Sequence, residues 1–127
     1  MEKGAYRGFR DLKVYRLSFQ LATEVFELTN LFPKEEKYSL TDQIRRSSRG
    51  ICALIAVAWP HRKYSKSFVN KLIIAKGEVA ETEVWIDFSQ VHGYIPQEKH
   101  TYLIEKYNEV GKMLNSMIIQ PEKFCHE

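Results

Sequence analysis

Apolar residues recur at alternating spacings of three and four in four segments of the sequence, and no segment alternates as a half-buried strand would. In the first segment these residues are Leu12, Tyr15, Phe19, Ala22 and Phe26. Such a stripe follows one face of an α-helix. Proline or glycine residues separate the segments. The pattern therefore predicts four helices, at about residues 10–30, 41–59, 66–91 and 97–119.

The length of the chain limits how these helices can pack. At 127 residues the chain is large enough for one hydrophobic core, so residues 1–127 are expected to form a single domain. Each helix has an apolar stripe that only a neighbouring helix can cover, and the connections between helices are short. We therefore expect an all-α protein, an antiparallel up-and-down four-helix bundle.

The cysteines and the hydropathy pattern indicate the cellular setting. Cys52 and Cys125 form neither a CxxC pair nor a disulfide framework. The N-terminal residues lack the apolar core of a secretion signal, and no stretch approaches the roughly 18 apolar residues of a membrane span. We therefore expect a soluble, cytoplasmic protein that does not bind a membrane.

The second helix changes character along its length. In the segment "IRRSSRGICALIAVAW", residues 44–59, three arginines oppose a cluster of isoleucines on the helical wheel, but residues 50–59 contain no charge. The sector that carries arginine in the first half carries Ala53, Ala56 and Val57 in the second. A helix that is apolar all round needs cover on its outer side, which predicts a homo-oligomer. In the alternative, Trp59 and the connector after it fold back over the helix.

Several short motifs of the chain are familiar in combination. These are F-x-D-L-x-V at residues 9–14, F-P-K-E-E at 32–36, L-T-x-Q-x-R-R at 40–46, and the segment "KLIIAKGEVAETEVWIDFSQVHGYI" at 71–95. Together they resemble the bacterial four-helix-bundle family named for a protein encoded within intervening sequences of 23S ribosomal RNA genes. The resemblance extends over residues 9–118.

The resemblance implies both an assembly and a class of partner. Members of the family form up-and-down four-helix bundles that assemble as rings, usually pentamers, and their biochemical role is poorly defined. A related bundle, the accessory variability protein of diversity-generating retroelements, is also pentameric and binds nucleic acid and a reverse transcriptase. The implied partners are thus further copies of this chain, RNA or DNA, and a second protein.

The chain departs from the family in its apolar content. Leu54 and Val57 stand where the family commonly has Asn and Glu, and Ile73 and Ile74 stand where polar residues are common. These exchanges enlarge the apolar surface that must be buried. The predicted oligomer interface comprises Leu54, Val57, Trp59, Ile73 and Ile74.

Basic residues on the second helix and on the connector after it are the candidates for nucleic-acid binding, because cations attract phosphates and Tyr64 between them could stack on an unpaired base. They are Arg45, Arg46, Arg49, Arg62, Lys63 and Lys66. In the alternative, these cations pair with Glu35, Glu36 or carboxylates of the third helix at subunit contacts.

No catalytic or metal-binding pattern occurs in the sequence. It contains no Glu-x-x-His, no phosphate-binding glycine loop and no nucleophile elbow, and its four histidines are scattered over connectors and the tail. We therefore expect a non-catalytic protein without metal or cofactor that binds RNA or other nucleic acid. The alternative function is an oligomeric scaffold or protein-interaction module.

Overall fold

The computed structural model describes residues 6–125 and contains four long helices, with no strand among the described residues. They are α1 (Lys13–Thr29), α2 (Leu40–Ala58), α3 (Ser65–Val91) and α4 (Gln97–Ile119). Helix α1 begins later than the predicted residue 10, because Phe9–Asp11 forms a separate 3-10 turn and Leu12 is extended. The predicted all-α, antiparallel up-and-down bundle is confirmed.

Each helix packs against the next helix in the chain, and α4 closes the bundle against α1. The helices run antiparallel, since residue numbers rise on one helix as they fall on its neighbour. Helices α1 and α3 therefore occupy diagonally opposite positions. One side-chain hydrogen bond at each of the four contacts illustrates the order: Arg45 with Asn30, Thr82 with Ser47, His100 with Asp87, and Tyr102 with Glu24.

Short connectors set the ends of α2. Its N-terminus is capped by the Glu36 carboxylate, which accepts hydrogen bonds from the Ser39 hydroxyl at 2.7 Å and the Leu40 amide at 3.3 Å. Its C-terminus is followed by a 3-10 turn, Trp59–Lys63, that contains Pro60. The two termini of α2 are thus fixed by local contacts.

The core of the bundle contains the apolar stripes predicted from the sequence. On α2 the buried residues include Ile44, Ile51, Ile55 and Ala58, all on the side opposite the arginines. The first helix differs from the expectation. Phe19 and Phe26 share the stripe's spacing, yet 56% of Phe19 is exposed, because this part of the stripe faces the outer edge between α1 and α2.

Candidate functional site

Two of the predicted nucleic-acid-binding arginines lie toward α1. Arg45 donates from Nε to Thr29 Oγ1 at 2.8 Å and from a terminal nitrogen to Asn30 Oδ1 at 3.0 Å. Its guanidinium also lies 4.6 Å from the centre of the Phe26 ring, and that of Arg49 lies 5.6 Å from the same centre. Both arginines thus make cation–π contacts with one aromatic ring. Of the two arginines, Arg45 makes more contacts within the chain.

The third arginine of this group has a different setting. Arg46 lies on the solvent side of α2, one turn after Asp42, with 3.6 Å between Nη1 and the carboxylate. Both side chains are largely exposed, so water screens the pair and its contribution to stability is small. Arg46 and Arg49, which is also exposed, are therefore accessible to a partner.

The other predicted cations surround the turn after α2. Arg62 stacks on the Trp59 ring at 3.7 Å and donates to the Trp59 carbonyl at 2.8 Å. Partial burial there lowers the pKa of Arg62. Lys63 and Lys66 are exposed, and Tyr64 between them exposes 64% of its surface. This second group combines cations with an accessible aromatic ring.

The two basic groups are separated along the bundle. Residues 49 and 62 are thirteen positions apart, which corresponds to roughly 20 Å at the rise of a helix. The predicted residues thus form two cationic clusters and not one continuous face. The first cluster is Arg45, Arg46 and Arg49, and the second is Arg62, Lys63 and Lys66. Within residues 6–125, neither cluster forms an ion pair with Glu35 or Glu36.

Four of the five predicted interface residues lie near one another on the outer side of α2 and α3. Val57, Ile73 and Ile74 expose 45%, 52% and 43% of their surface, and Leu54 is partly buried. The hydrogen bond between Ser47 and Thr82 sets the antiparallel register, which brings Leu54 level with Ile74. An apolar surface therefore bridges the two helices.

The structure corrects the placement of the fifth interface residue, Trp59. Only 7% of its surface is exposed, because the 3-10 turn directs the ring into the core of the same chain. Tyr6 packs edge-on against the ring at 5.6 Å, and Arg62 covers it. Trp59 does not cover the outer side of α2 either, since Val57 remains exposed.

Further apolar side chains, which were not predicted from the sequence as interface residues, extend this surface along α3. The exposed residues Val84, Phe88 and Val91 follow Ile73 and Ile74 on the outer side of the helix. We call these five residues the α3 stripe. A sequence signal accompanies it, because residues 77–98 contain no lysine or arginine. A solvated helix face would ordinarily carry such residues.

A second apolar surface lies between α1 and α2. It is a groove of about 460 Å³ whose lining includes Tyr15, Phe19, Phe26, Arg49 and Ala53. We call it the α1–α2 groove. Arg10 and Arg16 adjoin it beside Tyr15 and Phe19. The groove is therefore apolar at its floor and cationic at its rim.

Comparison with known proteins identifies the family. The family model described as 23S rRNA-intervening sequence protein matches residues 10–116. The chain belongs to this family. The resemblance found in the sequence motifs is thereby confirmed, and the match includes all of α1, α2 and α3 and most of α4.

Among solved structures, this member of the 23S rRNA-intervening sequence protein family is similar to a crystal structure from Bacteroides thetaiotaomicron VPI-5482. That structure is described as a protein with unknown function from the S23 ribosomal protein family. The two chains are 31% identical, the match covers 84% of this chain and 95% of the other, and the TM-score is 0.75. No curated protein matches the sequence.

Membrane-spanning helices and metal-binding clusters are both absent from the described residues of this family member. No helix among residues 6–125 is long and apolar enough to cross a membrane. In the same range, no group of three or more histidine, cysteine, aspartate or glutamate side chains could hold a metal ion. The closest acid–base pair is Asp87 with His100, at 2.8 Å on the surface between α3 and α4.

Proposed function

We propose that the chain is a non-catalytic subunit of a homo-oligomeric ring, and that the assembled ring binds RNA. The observation that carries the proposal is the exposed α3 stripe together with Val57. An apolar surface of this length is unfavourable in water and is characteristic of a protein contact. The family resemblance favours five copies, and the free cysteines suit a cytoplasmic location.

Support for RNA as the partner comes from the two cationic clusters. Arg46, Lys63 and Lys66 are accessible, and Tyr64 offers a ring on which an unpaired base can stack. A ring of subunits repeats both clusters in every copy. Weak phosphate contacts then add up when one RNA strand reaches several copies.

Assembly is tested by light scattering coupled to size exclusion. We expect a mass several times 15.0 kDa, with five copies favoured. A protein that elutes with the mass of one chain over a wide range of concentrations would contradict the homo-oligomer.

RNA binding is tested with charge-neutralised variants of the intact assembly. Arg45 is left unchanged, because it bonds to α1 and its removal would disturb the fold. The variant Arg46→Gln/Lys63→Gln/Lys66→Gln should weaken binding to a structured RNA. It should also reduce the slope of log affinity against log salt by about 0.7 to 0.9 for each phosphate that it no longer neutralises. The matched control, which also removes three exposed charges, is Lys13→Gln/Lys112→Gln/Lys123→Gln.

The same measurements distinguish RNA binding from the alternative function, an oligomeric scaffold. If the wild-type assembly retains neither RNA nor DNA at low salt, the oligomeric scaffold becomes the better proposal. If the test and control variants bind RNA with equally reduced affinity, binding depends on net charge alone and the two clusters are not the site.

A further inference from the structure

We infer that the subunits join head to tail, with the α3 stripe of one copy seated in the α1–α2 groove of the next copy. This inference rests on the proposed homo-oligomer and specifies which two surfaces meet. It commits the groove to a single occupant, a second copy of the same chain.

The positions of the two surfaces favour a head-to-tail contact. Helices α1 and α3 are diagonally opposite in the bundle, so the groove beside α1 and the stripe on α3 face different directions. A twofold contact pairs a patch with itself and would bury only one of the two surfaces. A head-to-tail contact buries both with one repeated interface, and such contacts generate closed rings when the rotation between subunits closes.

The charges of the two surfaces are complementary. Beside the stripe, α3 carries Glu78 and Glu81, and neither forms an ion pair with a lysine or arginine within the described chain. At the groove, the charged residues are Arg10, Arg16 and Arg49, of which Arg16 also lies 3.4 Å from the Asp11 carboxylate. Stripe against stripe would oppose acids to acids, and groove against groove would oppose arginines to arginines. Only the mixed contact opposes unlike charges.

One carboxyl on α3 is consistent with this arrangement. Burial and the neighbouring Glu81 raise the pKa of Glu78. In the single chain, then, the charged form of Glu78 is partly desolvated beside a further acid. An arginine from an adjacent copy would stabilise it.

The groove is shorter than the stripe. The stripe runs from Ile73 to Val91, which is roughly 27 Å at the rise of a helix. The aromatic side of the groove follows α1 from Tyr15 to Phe26, which is roughly 17 Å at the same rise, and is extended by Phe9 before the helix. The groove therefore accommodates part of the stripe. One exposed helix face would thus lie in a groove between two helices, as in helix-in-groove recognition.

The test uses two variants, each of which damages one surface at exposed positions. Ile74→Glu/Val84→Glu damages the stripe, and Phe19→Glu/Ala53→Glu damages the groove. We expect each variant alone to have the mass of one chain and an unchanged helical spectrum. Mixed in equal amounts, they should form a dimer of one copy of each, because the intact groove of the first accepts the intact stripe of the second.

Each outcome of this experiment has one meaning. A mixture that stays monomeric, although each variant is folded, would overturn the contact between the α3 stripe and the α1–α2 groove. A variant that keeps the wild-type mass would show that its surface lies outside the interface. A monomeric wild-type chain would instead overturn the proposed function.

Three further variants control for misfolding and nonspecific effects. If the glutamate variants precipitate, the serine versions Ile74→Ser/Val84→Ser and Phe19→Ser/Ala53→Ser test the same surfaces without added charge. Leu31→Glu/Ile119→Glu changes exposed apolar residues outside both surfaces and should leave the wild-type mass unchanged. A failure of this control to assemble would overturn the assignment of the two surfaces.

Discussion

The hydroxyl groups of Ser47 on α2 and Thr82 on α3 lie 2.7 Å apart in a hydrogen bond that is buried in the centre of the bundle. Both side chains are small, so the backbones of the two helices can approach closely. A buried hydroxyl that loses its partner costs free energy, and a shift of either helix would separate this pair. The bond therefore helps to set the register of α2 against α3.

Removing one partner of this bond should destabilise the chain. Thr82→Val keeps the shape of the side chain but leaves the Ser47 hydroxyl with only a long 3.4 Å contact to the Ile44 carbonyl. We expect the free energy of unfolding to fall by about 1 to 2 kcal/mol, measured by urea denaturation at a fixed protein concentration. The double variant Ser47→Ala/Thr82→Val leaves no hydroxyl unpaired and should be more stable than Thr82→Val. If it is less stable, the bond is not the cause.

Neighbouring arginines on α2 should differ in their effect on stability. Arg45→Gln removes the hydrogen bonds to Thr29 and Asn30 and the cation–π contact with Phe26, so we expect the free energy of unfolding to fall by about 1 to 2 kcal/mol. Arg46→Gln removes only an exposed pair with Asp42 and should change stability by less than about 0.5 kcal/mol. Urea denaturation of both variants measures the difference. Equal effects would show that Arg45 has no special structural role.

The two tryptophans should report differently on assembly. In Trp85→Phe the remaining tryptophan, Trp59, is buried within its own chain, so acrylamide should quench its fluorescence only weakly. Adding the stripe variant Ile74→Glu/Val84→Glu should not change this quenching. In Trp59→Phe the remaining Trp85 is stacked with Phe88 of the α3 stripe, so we expect stronger quenching once the stripe is damaged. If quenching of Trp59 fluorescence increases when the assembly dissociates, Trp59 lies in the interface between copies.

Acid should weaken the cap of α2. Hydrogen bonds from Ser39 and then from Tyr94 hold the pKa of Glu36 below its ordinary value of 4.5. Since the folded-state pKa is the lower one, this stabilisation is present above about pH 4.5 and is lost as the pH falls through the folded-state value. Glu36→Gln should lower stability at pH 7 and flatten the decline below pH 4.5. Urea midpoints from pH 7 to 3 measure this, with the exposed Glu35→Gln as the control; equal profiles for both variants would contradict the cap.

The fold followed from the sequence because periodicity fixes which side of each helix must be covered. On α2, the isoleucines at 44, 51 and 55 lie within a narrow sector and are all buried. Periodicity could not place Phe19 and Phe26, because a side chain at the edge of a stripe has the same spacing as one at its centre. The packing angle of the neighbouring helix decides which of them meets solvent.

The candidate site was only partly predictable for a related reason. The sequence indicated the cations, but not that Arg45 would bond to the end of α1 while Arg46, one residue later, would face solvent. The burial of Trp59 accompanies the 3-10 turn after α2 and the contacts of its ring with Tyr6 and Arg62. Tyr6 is distant in sequence from the predicted second helix, and Arg62 lies just beyond the end of that helix. Val84, Phe88 and Val91 of the α3 stripe were not predicted, although the absence of lysine and arginine from residues 77–98 is a signal that could have indicated them.

The order of helix contacts has a consequence for how the chain folds. Most native contacts join residues that are close in sequence, and each helix packs mainly on the next one in the chain. Little chain entropy is lost when each such loop closes, and proteins dominated by local contacts fold within microseconds to milliseconds. Encounter between two copies at cellular concentrations is slower than this. The newly made chain therefore completes its core first, and its exposed α3 stripe is then at risk of aggregation until another copy covers it, as in the proposed assembly.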